Sequence, residues 1–416
     1  MPETDRAARM EWLVSAAGLQ ARDRAREVWR EAGGDPLRAS TALRTSAPQG
    51  SGEDLTSEQA AEILLQAELS ALATVRHGIA DDHLLFTRDG LEAATRPVVA
   101  DHRAALLRTS GATRVLDLTG GLGLDSAAFL RAGLTVTAVE RDEATALLLA
   151  HNCPTATVIH GDATDPDLLA ELLRDLGPND VVFADPARRD PNAARDSRTA
   201  RARPERDPER WSPPWSFVAS IPHPRVAAKV SPSFPAPAPW CAEWVSVDRT
   251  VVECAVYSWP VIEPHHRAIV VSGQGLTAVP GSYVTLPESP ALGRWLFEID
   301  PAVVRAQATA AALSGSDAGR VGPESTWLTG DTAVNHPAVR SFRVREVLEG
   351  NAKQIRRRLA HLGVERASVK CRDVAADPQQ IRSSFGLAEG ADPVIIATRR
   401  AGHPLMVLVD SPQPLT

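Results

Sequence analysis

The stretch VLDLTGGLGLD, Val115 to Asp125, decides how the rest of the chain is read. An apolar run ends in Asp117, glycines crowd a turn, and Asp125 then opens the helical pattern LDSAAFLRAG, stopped at Gly133. Strand, tight turn and helix in that order bring backbone close to a nucleotide-like ligand. Downstream the alternation continues. TVTAVE, ATVIHGD and DVVFAD read as strands, and RDEATALLLAHN and PDLLAELLRDLG as helices. Strands separated by helices predict an α/β, doubly wound, mostly parallel sheet with right-handed crossovers. Each of the four strands ends in a carboxylate: Asp117, Glu140, Asp162 and Asp185. Ligands of such sheets bind at the carboxyl ends of the strands.

The chain has 416 residues, enough for two or three domains and a large core. Its net charge of −7 argues against a globally basic nucleic-acid binder but permits a local basic face. Cys153, Cys241, Cys254 and Cys371 show neither CxxC nor zinc-ligand spacing, so they read as thiols in a reducing compartment and no metal is expected. His265-His266 lacks a ligand partner at metal spacing and reads as structural. Apolar runs such as ATALLLA fall far short of the roughly 20 residues of a membrane span. The charged N-terminus MPETDRAARMEW lacks a signal core, and a cytoplasmic protein is expected.

Residues 1–95 read as an N-terminal helical region, with Thr56 or Ser57 capping its second long stretch and TSAPQGSGEDL as a linker. Residues 96–285 are assigned to the sheet domain and 286–416 to a small α+β C-terminal domain. The segment 187–240 reads as irregular, rich in Pro and Arg. Arg188 to Arg206 holds seven Arg against three acids, a local +4. Arg340 to the end holds 13 Lys/Arg against 8 Asp/Glu, a local +5 on a chain whose remainder is −12. Both basic segments read either as solvated surface or as phosphate grips, since Arg suits bidentate phosphate contact. Trp211 and Trp215 read as packing residues or as a platform for a base. Lys229 and Glu253 lie inside apolar strand patterns, where a charge needs a partner. They are expected at a sheet edge, paired with each other, or beside a substrate pocket.

Two ligands fit the glycine turn. A dinucleotide site wants GxGxxG, and Gly121-Leu122-Gly123-Leu124-Asp125-Ser126 supplies two of the three glycines. Asp125 would also oppose a pyrophosphate at the helix N-terminus. S-adenosylmethionine has no phosphate and carries a sulfonium and an ammonium, which an acid-rich rim suits. In this reading Glu140 accepts the ribose hydroxyls, Asp162 the adenine amino group, and Asp117 meets the methionine ammonium directly or through the loop. Asp185-Pro186 ends the fourth strand, beside the methyl group.

Residues 112–190 resemble a class I S-adenosylmethionine-dependent methyltransferase with a Rossmann-like sheet. DLTGGLGLD with VVFADPARR is similar to a bacterial group carrying a THUMP-like C-terminal domain. LLFTRDGLEAATRPVVADHRAALL before the sheet and GRWLFEIDPAVVRA after it extend that likeness from Leu84 onward. The resemblance implies S-adenosylmethionine as cofactor, with Asp117, Thr119, Gly121, Gly123, Glu140 and Asp162 holding it. It also resembles N-methyltransferases in which Asp-Pro accepts hydrogen bonds from the target amino group, which makes Asp185 and Pro186 the catalytic pair. Kinship with THUMP domains implies an RNA substrate, tRNA or rRNA, contacted by Arg188, Arg189, Trp211 and Trp215. Where many amino-methyltransferases have Asp-Pro-Pro and an aromatic, this chain has Asp185-Pro186-Ala187-Arg188, so the stacking ring must come from elsewhere. The other readings are methylation of a small molecule or protein, and S-adenosylmethionine or RNA binding without turnover.

Overall fold

The computed structural model describes residues 3–45, 55–188, 205–323 and 325–414. The chain divides into two compact units, Met1–Trp240 with Val256–Val261, and Cys241–Ala255 with Ile262–Thr416.

The first unit opens with helices α1 (Glu3–Val14), α2 (Ala16–Glu31), α3 (Pro36–Thr45), α4 (Ser57–His77), α5 (Arg88–Ala93) and α6 (Pro97–Thr109). Helix α4 shows how local sequence sets these bounds. Thr56 accepts from the Gln59 N–H while the Gln59 side chain accepts from the Thr56 N–H. This reciprocal box satisfies two otherwise orphaned donors. Gly78, at φ 69°, ends the helix in the left-handed region that glycine adopts without strain. The helices bury Leu13, Ile63, Leu69 and Leu85 in one cluster that also takes in Leu122, Ala144 and Leu148. The helical region therefore shares its core with the glycine turn.

Alternation then follows as the sequence predicts: β1 (Arg114–Asp117), α7 (Leu124–Arg131), β2 (Thr135–Glu140), α8 (Glu143–Asn152), β3 (Thr157–His160), α9 (Pro166–Arg174) and β4 (Val181–Ala184). The segment read as irregular contains helix α10 (Trp215–Ala219) and a fifth strand, β5 (Val226–Val230), all five residues of which are buried. Its Lys229 breaks the apolar run that would have announced it. All pairings in the order β3-β2-β1-β4-β5 are parallel. The order reverses between β1 and β4, and the crevice at such a switch point is where doubly wound sheets bind ligands. Register sets what meets there. Asp117 pairs with Phe183, which brings Thr119 level with Asp185. Ala184 pairs with Ala228, which brings Lys229 level with Asp185 on the other side.

In the second unit, β7 (Thr250–Tyr257, through Ala255), β6 (Cys241–Val247), β8 (His266–Ser272) and β9 (Gly275–Pro280) lie side by side in that order. A separate sheet follows, built from β10 (Trp295–Ile299), β11 (Gly319–Arg320), β12 (Leu328–Gly330), β13 (Val339–Val347), β14 (Ser368–Cys371), β15 (Val394–Arg400) and β16 (His403–Val409). Its order is β11-β12-β10-β13-β16-β15-β14. Short helices α11 (Pro301–Arg305) and α12 (Thr309–Ala312) follow β10, α13 (Ala352–His361) follows β13, and α14 (Pro378–Ser384) follows β14. Trp327 and Phe342 pack edge to face in one core of this sheet, 5.7 Å apart.

The glycine turn is the tightest point of the first unit. Gly123 sits at φ 82°, and a Cβ there would come within 2.6 Å of Leu149 Cδ1 and 2.7 Å of Cys153 Sγ. Gly123→Ala should therefore cost roughly 2–5 kcal/mol, overpacking plus a left-handed backbone. A fall in the urea midpoint at unchanged m-value checks this.

Candidate active site

The four strand-end acids have different fates. Asp117 is only 1% exposed. Its Oδ1 accepts from the Thr119 N–H at 3.1 Å and its Oδ2 from Ser126 Oγ at 2.7 Å. It holds the loop from beneath and reaches a ligand only through it. Burial, opposed by these two hydrogen bonds, pushes its carboxyl up to about 7. Glu140 leans over the glycine turn. Its Oε2 accepts from the Gly121 N–H and its Oε1 from the Asp142 N–H, each at 2.9 Å. Asp162 is exposed and turns back on its own loop, accepting from the Thr164 N–H and hydroxyl at 2.8 and 2.7 Å. These bonds hold its carboxyl below the usual range. Asp185 is half-buried at the end of β4, and its N–H donates to Thr119 Oγ1 at 2.6 Å. Thr119 thus ties the first strand's loop to the fourth strand's end. The Thr119 hydroxyl does this, which a glycine at that position could not.

Gly121 adopts φ 53°, and a Cβ built on it meets nothing nearer than the Thr119 carbonyl oxygen at 3.8 Å. The turn is therefore open on that side, with Glu140 at its flank. An open cradle of backbone with a carboxylate beside it fits a ribose carrying no phosphate.

Behind Asp185 lies a chain of buried charges. Lys229 Nζ pairs with Asp185 Oδ2, donates to Thr95 Oγ1 at 2.9 Å, and stands 3.8 Å from Asp125 Oδ2. Thr95 in turn donates to Asp125 Oδ2 at 2.7 Å, and Arg103 Nη1 pairs with Asp125 Oδ1. Burial would raise the Asp125 carboxyl, but Arg103 and then Lys229 hold it below the ordinary value. Asp125 is therefore an internal counter-ion and not an acidic rim that repels pyrophosphate, because its charge is already neutralised from two sides. Lys229 lies on the buried strand β5, and one of its partners is Asp185. Glu253 is buried on β7 in the second unit.

Thr95 and Arg103 were not singled out from sequence. A signal existed for Arg103, which shares a helical stripe with Val99 and Leu107, so that a charge stands on the buried face of α6. Its guanidinium also lies over the Phe183 ring, 5.3 Å from the centroid.

The substrate candidates separate. Trp211 is buried. Its indole N–H donates to the Glu205 carbonyl at 3.1 Å and its ring packs on Phe234, so the packing reading describes it and a free stacking face is not available. Trp215 is half-buried between Phe234 and Trp240. Ala187 pairs with Ser212 through two backbone bonds, and Arg141 donates to Ser212 Oγ at 2.8 Å. These contacts lay the segment from Glu205 to Ser212 beside the ends of β2 and β4. Arg188 is half-buried at the start of the excursion, its carbonyl accepting from the Glu205 N–H at 2.7 Å. Arg189 and the basic segment 189–204 lie outside the described residues. Among the described residues no group of three or more His, Cys, Asp or Glu is placed to hold a metal, and no helix is long and apolar enough to cross a membrane.

Comparison with known proteins agrees with this architecture. Residues 339–411 match the family described as THUMP domain-like. The chain is 28% identical over 334 residues to an uncharacterized S-adenosylmethionine-dependent methyltransferase of Mycobacterium tuberculosis, with the same values in strains CDC 1551 / Oshkosh and ATCC 25618 / H37Rv. That match covers 76% of this chain and 85% of the relative. The crystal structure of a protein from Porphyromonas gingivalis W83, assigned as a methyltransferase, superposes with a TM-score of 0.68 at 18% identity, over 94% of this chain and 98% of that one. In fold and in its relatives the chain is similar to S-adenosylmethionine-dependent methyltransferases. It carries a THUMP-like domain at its C-terminal end.

Two measurements test the buried charges. Asp117 binds its proton more tightly folded than unfolded, so its contribution to stability is full below pH 4 and is lost as pH rises to about 7. The stability of the wild type relative to Asp117→Asn should accordingly fall across that window, by at most about 4 kcal/mol. A flat difference in urea titrations would contradict it. Lys229→Met strips a cation from Asp185 and Asp125 together and should cost about 3–5 kcal/mol in the same assay.

Proposed function

We propose that this protein transfers the methyl group of S-adenosylmethionine to an amino nitrogen of a base in RNA. The observation that carries the reading is the placement of Asp185-Pro186. Register and the Thr119 bond set it at the switch point, level with the glycine turn. S-adenosylmethionine supplies an activated methyl on a positively charged sulfur. The chain's task is then to hold an acceptor in line with that methyl, and positioning of this kind supplies much of a transfer's rate. Asp185 accepts a hydrogen bond from the amino group through the oxygen not engaged by Lys229, which aims the nitrogen lone pair. The Glu140 carboxylate at the flank of the open turn favours the cationic cofactor and disfavours a pyrophosphate.

Glu140 holds the ribose in this reading, and Asp117 fixes the loop that meets the methionine end. Asp162 flanks the adenine. Trp215 and Arg188 face the acceptor side, with Arg189 and the basic segment that follows. The THUMP-like domain and its basic balance support RNA as the substrate class.

The test is incubation with methyl-labelled S-adenosylmethionine and total RNA from a strain lacking this chain, followed by digestion to nucleosides. Label is expected on base nitrogens. Unlabelled RNA would transfer the reading to a small molecule or protein acceptor, and label on ribose oxygen would overturn the amino target. By calorimetry Glu140→Ala should weaken cofactor binding by roughly 1.5–3 kcal/mol, the worth of hydrogen bonds to a charged group. Asp185→Ala should retain cofactor binding and lose most of kcat.

A further inference from the structure

The second unit contains a concentration of positive charge that the methyl-transfer site does not use. On β10, Glu298 is 4% exposed, and four cations converge on it. Lys370 Nζ donates to both its carboxylate oxygens, at 3.0 and 2.9 Å, and Arg372 Nη2 to Oε1 at 2.8 Å. Arg249 and Arg340 stand 3.8 and 3.7 Å from Oε2. These residues come from the turn before β7, the start of β13 and the C-terminal end of β14, so chain folding alone assembles them. The cations hold the Glu298 carboxyl below its usual range despite its burial.

One carboxylate does not need four cations. Glu298 leaves the group at +3, and Asp300, within electrostatic range of Arg249, still leaves +2. Like charges this close repel strongly where water is scarce. Burial lowers the Arg249 pKa; Glu298 and Asp300 oppose the shift, while Arg340 and Arg372 add to it. Arg249 Nη1 is also buried without a hydrogen-bond partner among the described residues, although Nη2 donates to the Glu298 carbonyl at 3.0 Å. A buried donor left unsatisfied in a cluster of surplus positive charge is matched by an anion. The stems are held in place: Lys370 Nζ lies 5.5 Å from the Phe342 centroid and the Arg372 guanidinium 5.9 Å from that of Trp327. Side-chain exposures of 31% for Lys370, 37% for Arg372 and 44% for Arg340 leave donors open to solvent.

We infer that Arg249, Arg340, Lys370 and Arg372, gathered on Glu298, form a phosphate-binding site. Planar guanidiniums present paired donors that match phosphate oxygens. The helix α13 arginines are a weaker alternative: Arg358 is already paired with Glu346 at 2.6 and 2.7 Å. As a grip on the RNA backbone, the inference rests on the RNA reading above. As a site for a phosphate anion it does not.

The experiment compares the full-length wild type with Arg340→Gln/Arg372→Gln, two part-exposed positions chosen so that the fold survives. A shared affinity for S-adenosylhomocysteine confirms that it does. Binding of single-stranded poly(U) is measured across salt concentrations, and pyrophosphate is titrated into the same proteins. Each phosphate contact contributes about 0.7 to the slope of log K against log salt, so the double variant should flatten it by about one unit or slightly more. It should also weaken pyrophosphate binding at least several-fold. If the wild type binds no poly(U) at low salt but loses pyrophosphate affinity in the variant, the site stands and the RNA reading falls. If wild type and variant match in both ligands, or the wild type binds neither, the cluster is an internal ion network and the inference is overturned.

Discussion

The first unit depends on one arrangement of buried charge: Arg103, Asp125, Lys229 and Asp185, with Thr95 between them. Removing an ion from water costs several kcal/mol, and the cost is recovered only where partners and hydrogen bonds fill its valences. Here two cations and two carboxylates alternate, so no charge stands alone. The alternation links α6, the first turn of α7, β5 and the end of β4. The opening helices are thereby committed to the end of β4, since Thr95 and Arg103 come from them. A charge array of this kind gives less net stability than apolar packing would, but it specifies which elements meet.

The glycine turn meets a complementary constraint. Helices α5 and α8 press on it from either side: a Cβ on Gly90 would lie 2.5 Å from Leu122 Cδ1, and one on Gly120 2.6 Å from Leu149 Cδ2. Asn152 adds a polar clamp, donating to the carbonyls of Leu85 and Leu122 and accepting from the Leu85 N–H. The loop is rigid below and open above Gly121. Preorganisation of this sort keeps the cost of ordering low when a ligand arrives.

The second unit uses buried charge differently. Arg267 and Glu243 pair across β6 and β8. Around Glu298 the count is four to one, with Asp300 also within electrostatic range of Arg249, while Lys370 and Arg372 lie over aromatic rings. Balanced pairs are what structure alone requires, and the imbalance is what distinguishes the Glu298 cluster.

Much of the architecture was legible in local pattern. The alternation from Thr113 to Asp185, the cap at Thr56 and the stop at Gly133 follow from period, capping and left-handed turns, which depend on neighbours in sequence. The carboxylates at the strand ends were equally visible, because strand ends are. Their roles were not. Asp117, Glu140 and Asp162 read alike in sequence, yet one is sealed beneath the loop, one braces the glycine turn and one faces solvent. Strand β5 was obscured by the charge of Lys229, and the meaning of that charge came only from register, which sets Lys229 beside Asp185 across some 44 residues of chain. Asp125 changed from a rim acid to an internal counter-ion for the same reason. By itself the sequence determined the order of elements and the glycine turn. Tertiary structure decided which charges face one another, because burial and pairing are set by residues distant in sequence, and the ionic state of a carboxylate is a property of its neighbours.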